Sequence, residues 1–491
     1  MSLYEIQIAL PLLCAFILIL VLVIFDAFTS KNKNINLLIS IGGLIFIGVA
    51  AGYSLYISPN LYIPEQNVDF FSKNMFAFGG FTAIFDIIFV IGSILTLFLT
   101  KDYFYRTYNT YKELYTIIIS SVFGMMCIAH SNNFIILFLG IETMSIPFYV
   151  LTGYTRDRGS SVEGALKYFF LGAFASAFLL YGISMIYGAT GTLYYNEVQY
   201  YITNITTYPL YLKLGIGLLL VGILFKISAF PFHQWAPDVY QAAPTPLSGF
   251  LSTVGKAAAG VAFISIVRVI LPHNSKDLIL NVNNNVQFMI AIIAAATMLI
   301  GNITALAQKN IKRMLAYSSI GHAGYLLMGI VANTVNGYSG ILYYSLAYTL
   351  TQIGAFSILS VIEGKNETNL MIDDYSGISK KHPILAMAMA MFMFSLAGIP
   401  PFAGFFGKYF LFKSAIETGF TWLTIIAIIT SIISVYYYLS IVIKMYFKDS
   451  NYDLIIENSK LSNLSIFISA FGILFIGIFS YLFIDYIPQL F

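Results

Sequence analysis

The sequence predicts an all-α polytopic membrane protein with about 14 transmembrane helices. Of its 491 residues, 59% are hydrophobic and only 10% are charged, whereas soluble domains carry about 25% charged residues. Apolar runs of roughly 20 residues recur along the chain, and each is long enough to cross a hydrocarbon core about 30 Å thick. The runs are continuous and lack the alternation of barrel strands, so they predict helices.

Short polar segments separate the apolar runs, and none of these segments is long enough for a soluble domain. The longest gap, near residues 194–207, is polar and aromatic. The predicted spans are 8–28, 35–57, 73–99, 114–130, 132–154, 163–188, 210–238, 245–271, 286–308, 312–333, 338–363, 383–411, 420–447 and 464–486.

The distribution of basic residues predicts the orientation. Loops after even-numbered helices clearly hold only Lys276. Because cytoplasmic loops are enriched in Lys and Arg, we expect the loops after odd-numbered helices in the cytoplasm and both termini outside. Those loops hold 15 of the 25 basic residues: Lys31, Lys33, Lys101, Arg106, Lys112, Arg156, Arg158, Lys309, Lys312, Arg313, Lys365, Lys380, Lys381, Lys448 and Lys460.

Several other classes of site find no support in the sequence. Cys14 and Cys127 lie inside apolar runs and form no ligand cluster, so we expect no iron–sulfur centre or other metal here. No glycine-rich phosphate loop follows a strand, and we expect no nucleotide cofactor and no nucleic-acid partner. The N-terminus lacks a basic segment and a small-residue cleavage site, so Leu10–Phe28 is predicted to be a retained helix.

Four lysines lie well inside apolar runs, namely Lys167, Lys226, Lys256 and Lys408. An ionised group at the bilayer centre costs at least ~2.5–3.5 kcal/mol, so four together cost roughly 10 kcal/mol, comparable to the stability of a domain. Burial can drive a lysine to release its proton, whereas arginine stays charged. The absence of deep arginines therefore favours proton transfer. The other basic residues outside the loops lie near helix ends, where they can reach the headgroups: Lys73, Lys213, Arg268, Lys413 and Lys444.

The seventh predicted helix is broken just after Lys226. Pro231 and Pro237 each remove a backbone hydrogen bond, and His233 lies between them. Broken helices at membrane depth occur where they line a polar or hydrated cavity. Lys226 and His233 are therefore candidate proton-transfer groups, with a structural ion pair and a packing histidine as the alternatives.

The twelfth predicted helix is broken in the same way before Lys408, by Pro400 and Pro401. The two broken helices run antiparallel and lie five positions apart, as an inverted repeat predicts. Helices 4–8 and 9–13 are thus the predicted repeats. The expected organisation is one transmembrane domain with N-terminal helices 1–3 in 1–110, repeats in 111–271 and 286–447, and a last helix in 460–491.

Three further candidates complete the predicted path. Lys256 lies among small residues that allow close helix packing. Glu142, about ten residues into the fifth helix, is the expected carboxylate partner of one lysine, and a purely structural ion pair is the alternative. His322 lies mid-helix among small residues and could relay a proton through its neutral imidazole.

Other ionisable residues in apolar runs have weaker claims. Lys167 follows Glu163 by four residues, so an ordinary ion pair along the helix is the alternative to a role in transfer. Asp86 also lies within an apolar run, where a structural role is favoured. No role is assigned to three histidines near helix ends: His130, His273 and His382.

Several long segments resemble the antiporter-like subunit N family of respiratory NADH-quinone oxidoreductases (complex I). They are LFLGIETMSIPFYVLTGY, SVEGALKYFFLGAFASAFLLYGISMIYGATGT, FKISAFPFHQWAPDVYQAAPTPLSGFLSTVGKAAA, NITALAQKNIKRMLAYSSIGHAGYLLMG and AGIPPFAGFFGKYFLF. The resemblance covers residues from about 75 to 445. It implies a fourteen-helix core with two inverted five-helix repeats. A lysine at position 408 and the lack of a long C-terminal extension distinguish subunit N from its sister subunits.

The resemblance also implies the roles of individual residues. It implies that flavin, iron–sulfur clusters and quinone are bound by other subunits, with no cofactor in this chain. The expected partners are other membrane subunits of the complex, including sister antiporter-like subunits, within the bacterial cell inner membrane. The family's ionisable residues correspond to Glu142, Lys167, Lys226, Lys256, His322 and Lys408.

Two other functions fit the same composition. A subunit of a multisubunit sodium/proton antiporter would share the core, and proton pumping that persists without sodium would separate the two. A solitary secondary transporter would work alone, whereas this chain is expected to need partners. A purely structural scaffold is hard to reconcile with four deep lysines.

Overall fold

The computed structural model describes residues 3–28, 33–60, 75–107, 113–205, 209–271, 280–364, 368–449 and 460–490. Within these ranges the chain is helical throughout, with no β-strand. The prediction of an all-α membrane protein is confirmed, since eleven helices are long and apolar enough to cross a membrane. The following basic residues lie outside the described ranges: Lys31, Lys73, Lys112, Lys276 and Lys365.

The described residues form nineteen α-helices. These are α1 (Leu3–Phe28), α2 (Lys33–Ile57), α3 (Gly80–Thr107), α4 (Leu114–Ala129), α5 (Phe134–Thr152), α6 (Gly159–Thr190), α7 (Tyr195–Asn204), α8 (Leu210–Lys226), α9 (Trp235–Ala242), α10 (Thr245–Ile270), α11 (Leu280–Leu306), α12 (Ile311–Ala332), α13 (Val335–Ile362), α14 (Ile378–Lys381), α15 (Pro383–Ala397), α16 (Ala403–Glu417), α17 (Thr421–Phe447), α18 (Lys460–Ile478) and α19 (Ser480–Tyr486).

The centre of the bundle is formed by α10, α12 and α13, which are almost completely buried. Around them, α3 and α4 pack against α10, α11 packs against α12, and α16 packs against α13. Outer helices such as α1, α6 and α17 expose most of their apolar surface, as expected of helices that face lipid. Ionisable groups on the three central helices are therefore enclosed by protein.

Glycine pairs bring neighbouring helices into backbone contact. A β-carbon on Gly182 of α6 would lie 2.7 Å from the carbonyl oxygen of Gly215 on α8. Likewise, a β-carbon on Gly301 of α11 would lie 2.4 Å from the amide nitrogen of Gly321 on α12. Small residues at such contacts are typical of helices that associate in a bilayer.

The two predicted breaks are present, and each starts with the same type of helix cap. After α8 the amide of Ala229 donates to the carbonyl of Leu224 (2.9 Å), and Ser228 adopts a left-handed φ of 58°. After α15 the amide of Ile399 donates to Phe394 (3.0 Å), and Gly398 adopts a φ of 85°. This left-handed cap satisfies helix-end carbonyls and stops the helix. The bonds Phe230–Pro231 and Pro400–Pro401 are cis.

The polar gap near residues 194–207 contains a helix that the sequence analysis did not predict. In α7, Tyr195, Val198 and Ile202 are buried at three- and four-residue spacing. This spacing places the three side chains on one face, so α7 lies as a short amphipathic helix against the bundle. A ten-residue helix with one apolar stripe has too low an overall hydrophobicity to be found as a span.

Candidate functional site

Lys226 is the last residue of α8, and its side chain is only 6% exposed. Its ammonium donates to the hydroxyl of Ser145 on α5 at 2.8 Å. The Ser145 hydroxyl in turn donates to the carbonyl of Ile141 at 2.6 Å. The first half of the broken helix therefore ends with a lysine that is held by a neutral hydroxyl group.

Glu142 lies one helical turn before Ser145, on the same face of α5. It is half-buried, and it accepts a hydrogen bond of 2.5 Å from the Ser176 hydroxyl on α6. The Glu142 carboxylate interacts electrostatically with Lys226, but the described residues contain no ion pair within 4.0 Å between them. The two charges are therefore coupled through space, with Ser145 in contact with the lysine.

Lys256 lies in the middle of α10 and is 2% exposed. Its ammonium donates to the hydroxyl of Ser319 (2.6 Å) and to the carbonyl of the same residue (2.5 Å) on α12. In the described part of the chain, no carboxylate lies within hydrogen-bond distance of Lys256.

His322 lies three residues after Ser319 on α12 and is also buried. Its Nε2 atom is 2.9 Å from the hydroxyl of Tyr438, and its Nδ1 atom contacts the hydroxyl of Tyr344. The ring of Tyr348 lies 4.9 Å from the imidazole. Each imidazole nitrogen therefore has a tyrosine hydroxyl that can donate or accept a proton.

Lys408 lies on α16 and is 4% exposed. Its ammonium donates to two carbonyls at the end of α15, those of Leu396 (2.9 Å) and Ala397 (3.1 Å). It also donates to the hydroxyl of Ser431 at 2.9 Å, and it lies 5.0 Å above the ring of Tyr325. The lysine therefore binds the carbonyl end of the preceding half-helix, where the helix dipole favours a positive charge.

One face of α12 connects Lys256 to Lys408. Ser319, His322 and Tyr325 follow each other at three-residue intervals, so they lie along one side of the helix. Ser319 binds Lys256, and Tyr325 contacts Lys408. These residues form what we term the α12 ladder: Ser319, His322 and Tyr325.

The broken helix that carries Lys226 also reaches this ladder. Tyr240 of α9 is buried, and its hydroxyl lies close to Ser228 in the break and to Ser319 on α12. Five predicted residues thus lie in one polar region of the structure: Glu142, Lys226, Lys256, His322 and Lys408.

Lys167 and His233 differ from the other candidates. Lys167 is 45% exposed and forms ion pairs with Glu163 (2.8 Å) and Asp238 (3.2 Å). The expectation that it is deeply buried is wrong for this chain, because α6 is an outer helix and Lys167 is only two turns from its start. His233 is half-buried in the break, and its Nδ1 atom has no hydrogen-bond partner among the described residues.

The buried ionisable groups that the sequence analysis missed include Lys312, Glu363 and His130. Lys312, assigned to a cytoplasmic loop, is fully buried in the first turn of α12 and donates to the carbonyl of Ala243 at 2.7 Å. Glu363 at the end of α13 is buried and accepts a hydrogen bond from Tyr103 at 3.1 Å. His130, directly after α4, was assigned no role, yet it is buried and contacts Asp86. All three lie near helix ends, where sequence alone favours exposure.

Comparisons with known proteins identify the family of this chain. The family model described as "NADH:quinone oxidoreductase/Mrp antiporter, TM" matches residues 131–434. NADH-quinone oxidoreductase subunit N 1 of Chloroherpeton thalassium is 43% identical over 476 residues, which cover 97% of this chain and 96% of that protein. NADH-quinone oxidoreductase subunit N of Trichlorobacter lovleyi is 41% identical over 465 residues, which cover 94% of this chain and 91% of that protein.

A solved structure, respiratory complex I from Thermus thermophilus with bound aureothin, contains a chain with a TM-score of 0.81. That chain is 28% identical, and the match covers 97% of this chain and 98% of that one. The fold and site define a multi-pass membrane protein with ionisable groups buried along its centre. The chain belongs to the NADH-quinone oxidoreductase subunit N family.

Proposed function

We propose that this chain translocates protons as a membrane subunit of a respiratory NADH-quinone oxidoreductase. One observation carries the proposal: three lysines are buried at the centre of the fold and bind only neutral groups. These lysines are Lys226, Lys256 and Lys408. Among the described residues they donate hydrogen bonds to serine hydroxyls and backbone carbonyls. A structural ion pair would instead place a carboxylate against each ammonium.

The partners of these lysines suit proton exchange. A hydroxyl group can accept a proton on one side and donate one on the other, whereas a carboxylate would hold the ammonium charged. The proposed path runs from Glu142 through Lys226 and Lys256 to Lys408, with His322 as a relay on the α12 ladder. A change of charge near Glu142 would alter the protonation of Lys226 first, because Glu142 interacts electrostatically with it.

Lys167 and His233 have proposed supporting roles. Lys167 is paired with Asp238 of α9, which forms the second half of the broken helix, so it can position α9 against α6. His233 lies in the break itself, near Phe230 (5.8 Å between rings). Its buried and unpartnered Nδ1 atom is available to a water molecule in the cavity that a broken helix lines.

The proposed topology has 14 crossings. Eleven helices are long enough to span the membrane, the shorter apolar helix α4 is the twelfth crossing, and α8 with α9 and α15 with α16 each count as one broken crossing. The equivalent left-handed caps at Ser228 and Gly398 support two inverted repeats, in residues 111–271 and 286–447. The basic loops are proposed to face the cytoplasm of a bacterial cell, and both termini the outside.

The redox chemistry is proposed to take place in other subunits of the complex. Flavin, iron–sulfur clusters and quinone are proposed to bind in other subunits, which carry out the oxidation of NADH and the reduction of quinone. The proposed partners are the other membrane subunits, including sister antiporter-like subunits. The solved relatives are parts of multisubunit assemblies, which supports this proposal.

A sodium/proton antiporter remains the competing function. A chain of the Mrp complex from Dietzia sp. DQ12-45-1b superimposes with a TM-score of 0.85 but is only 18% identical, so it shares the fold alone. Proton pumping in sodium-free buffer separates the two functions: a respiratory subunit continues to pump, and a sodium-dependent exchanger stops.

The proposal is tested by neutralising Lys226, Lys256 and Lys408 one at a time with methionine, and Glu142 with glutamine, in the assembled complex. We expect proton pumping to fall in each variant while the complex still assembles, measured as pumping and quinone reduction in membrane vesicles. Lys413→Met is the matched control, since Lys413 lies on α16 as Lys408 does but is 56% exposed. Full pumping in all four variants would refute the proposal.

A further inference from the structure

A second buried ionisable site lies apart from the lysines, between α3 and the end of α4. Asp86 lies in the second turn of α3, and His130 directly follows α4. Both are almost completely buried. The Nε2 atom of His130 is 2.8 Å from Oδ2 of Asp86, and its Nδ1 atom is 2.9 Å from the carbonyl oxygen of Ala77.

These contacts fix how many protons the pair holds at rest. The Ala77 carbonyl can only accept, so Nδ1 of His130 carries a proton. The contact between Nε2 and Oδ2 then requires one proton between them, on either atom, and in both cases the pair is neutral overall. The fourth polar atom, Oδ1 of Asp86, is buried and has no hydrogen-bond partner within 3.5 Å among the residues that the structure describes. Oδ1 is therefore the atom where a further proton can bind and leave.

A cavity of about 140 Å³ is lined by residues that flank the pair, while Asp86 and His130 themselves lie just behind its wall. Ala129 and Ser131 on either side of His130 line it, as does Thr82, one turn before Asp86 on the same face of α3. One buried water needs roughly 10–15 Å³, so the cavity has room for several. The rest of its wall is mixed: Ala77, Phe81 and Val269 are apolar, and six side chains are polar, namely Asn132, Tyr195, Asn196, Gln199, Ser265 and Arg268.

The cavity lies at the end of the bundle opposite the basic loops. Its walls come from the start of α3, the end of α4, the start of α7 and the end of α10. Arg106, at the other end of α3, belongs to the basic side. In the proposed topology the cavity is thus on the outer side of the membrane, and the positive charge of Arg268 in its wall disfavours retention of a proton there.

Polar side chains on α13 lie between the lysines and α3, the helix that carries Asp86. Tyr348 contacts the His322 ring, and Thr349 packs against Gly92 of α3, where a β-carbon would be 3.0 Å from its methyl group. Buried polar atoms without protein partners are normally satisfied by ordered water. Four side chains on one face of α13 have buried atoms with no partner within 3.5 Å among the described residues: Ser345, Tyr348, Thr349 and Gln352.

We infer that Asp86 and His130 form a proton-release site between the lysines and the outer aqueous side. A proton arriving along α13 binds Oδ1 of Asp86, and the shared proton settles on Nε2 of His130, so that the pair carries one positive charge. Transfer of the Oδ1 proton to water in the cavity restores the neutral pair. The inference rests on the proposed function and adds the route by which protons leave.

The first test is Asp86→Asn in the assembled complex. The amide of asparagine can still donate to Nε2 of His130, so the contact is kept while the titrating group is lost. We expect pumping to fall to the level of Lys256→Met while quinone reduction continues. Asp26→Asn is the matched control, because Asp26 is a buried carboxylate on α1 that accepts from Asn36 (2.5 Å) and Thr116 (2.6 Å), away from the cavity. We expect it to pump normally.

The results separate this inference from the proposed function. Full pumping by Lys256→Met together with the three other variants of the proposed path contradicts the proposed function itself. Loss of pumping in Lys256→Met together with normal pumping in Asp86→Asn overturns only the release site.

A second test does not depend on the folding of Asp86→Asn. Asn196, exposed at the mouth of the cavity, is changed to cysteine in a chain whose Cys14 and Cys127 are alanine. Modification from the outer side with a membrane-impermeant, bulky thiol reagent should lower pumping to the Lys256→Met level. Tyr200→Cys, exposed on the same helix but outside the cavity, should keep pumping after the same treatment. Unchanged pumping in modified Asn196→Cys would overturn the release site.

Discussion

The ammonium of Lys408 donates to the carbonyl of Leu396, 2.9 Å away across the break between α15 and α16. The last carbonyls of a helix have no partner within the helix. The Lys408 ammonium therefore donates a hydrogen bond that the next helical turn would otherwise have supplied. Its position therefore depends on the backbone of the break. Gly398, which lies between the two half-helices, is in direct contact with the Lys408 side chain.

Gly398→Ala should impair pumping through Lys408. The left-handed φ of 85° costs a residue with a β-carbon about 1–2 kcal/mol, and that carbon would lie 3.1 Å from Cδ of Lys408 and 3.4 Å from its Nζ. We expect a lower thermal stability and a displaced ammonium, measured as unfolding temperature and as protons pumped per NADH oxidised.

Gly419→Ala provides the matched control for this variant. Gly419 has nearly the same φ, 86°, but its β-carbon would meet nothing within 4 Å. It should lose stability to a similar extent and keep its pumping. Equal pumping defects in both variants would show that backbone strain, rather than the contact with Lys408, causes the effect.

Ser145→Ala should alter proton transfer at Lys226. The serine hydroxyl is the protein group that binds the Lys226 ammonium, and hydrogen bonds to charged groups contribute about 1.5–3 kcal/mol. Losing it disfavours the charged lysine, so we expect slower pumping with the complex intact, measured as the initial rate in vesicles.

Ser93→Ala is the control for the loss of a buried hydroxyl. Ser93 is fully buried on α3, and its hydroxyl donates to the carbonyl four residues earlier, that of Phe89, as Ser145 does to Ile141. It should pump at the normal rate. A normal rate in Ser145→Ala as well would contradict a role for this hydroxyl.

The buried lysines and the broken helices could be predicted because they depend on local patterns. A charge inside an apolar run and a proline in a helix are visible in the sequence itself. Lys226, Lys256 and Lys408 are all buried where the apolar runs predicted. The all-α fold followed from the length and continuity of the same runs.

The partners of these residues could not be predicted, because they come from distant segments. Ser319 reaches Lys256 across 63 positions, and Tyr438 reaches His322 across 116. Glu142 was expected against a lysine, yet its hydrogen bond goes to Ser176. Lys167 was predicted to be buried but is exposed, because an apolar run does not reveal which helices lie at the outside of a bundle.

Acidification to pH 5 should leave unchanged the contact between Lys444 of α17 and Asp373, which lies between α13 and α14. The hydrogen bond from Lys444, 2.6 Å away, and its charge hold the pKa of Asp373 below the ordinary 3.8. A depressed carboxyl pKa contributes stability above the unfolded value, and this is lost only as the pH falls through the folded value. The exposed carboxylate makes the contribution small.

The measurement is the difference in unfolding temperature between the natural chain and Asp373→Asn, at pH 8 and at pH 5. Both pH values lie above the range in which Asp373 titrates, so the difference should be the same at both. A difference that disappears at pH 5 would mean that Asp373 is not held ionised by Lys444.

Tyr438→Phe should slow proton transfer through His322. The Tyr438 hydroxyl lies 2.9 Å from Nε2 of His322 and contacts the hydroxyl of Ser318, so its loss leaves one imidazole nitrogen without a partner. The ring remains to fill its place in the core. Removing one hydroxyl from the polar groups around the α12 ladder should reduce pumping, because a proton can then enter or leave His322 only on the side of Tyr344.

Tyr343→Phe is the matched control, because Tyr343 is equally buried and its hydroxyl donates to the backbone carbonyl of Ile476 at 2.9 Å, away from the ladder. Both variants lose one buried hydroxyl, so both should lose some stability. Only Tyr438→Phe should pump more slowly at an unchanged rate of quinone reduction. If the two variants pump alike, His322 does not carry protons by way of Tyr438.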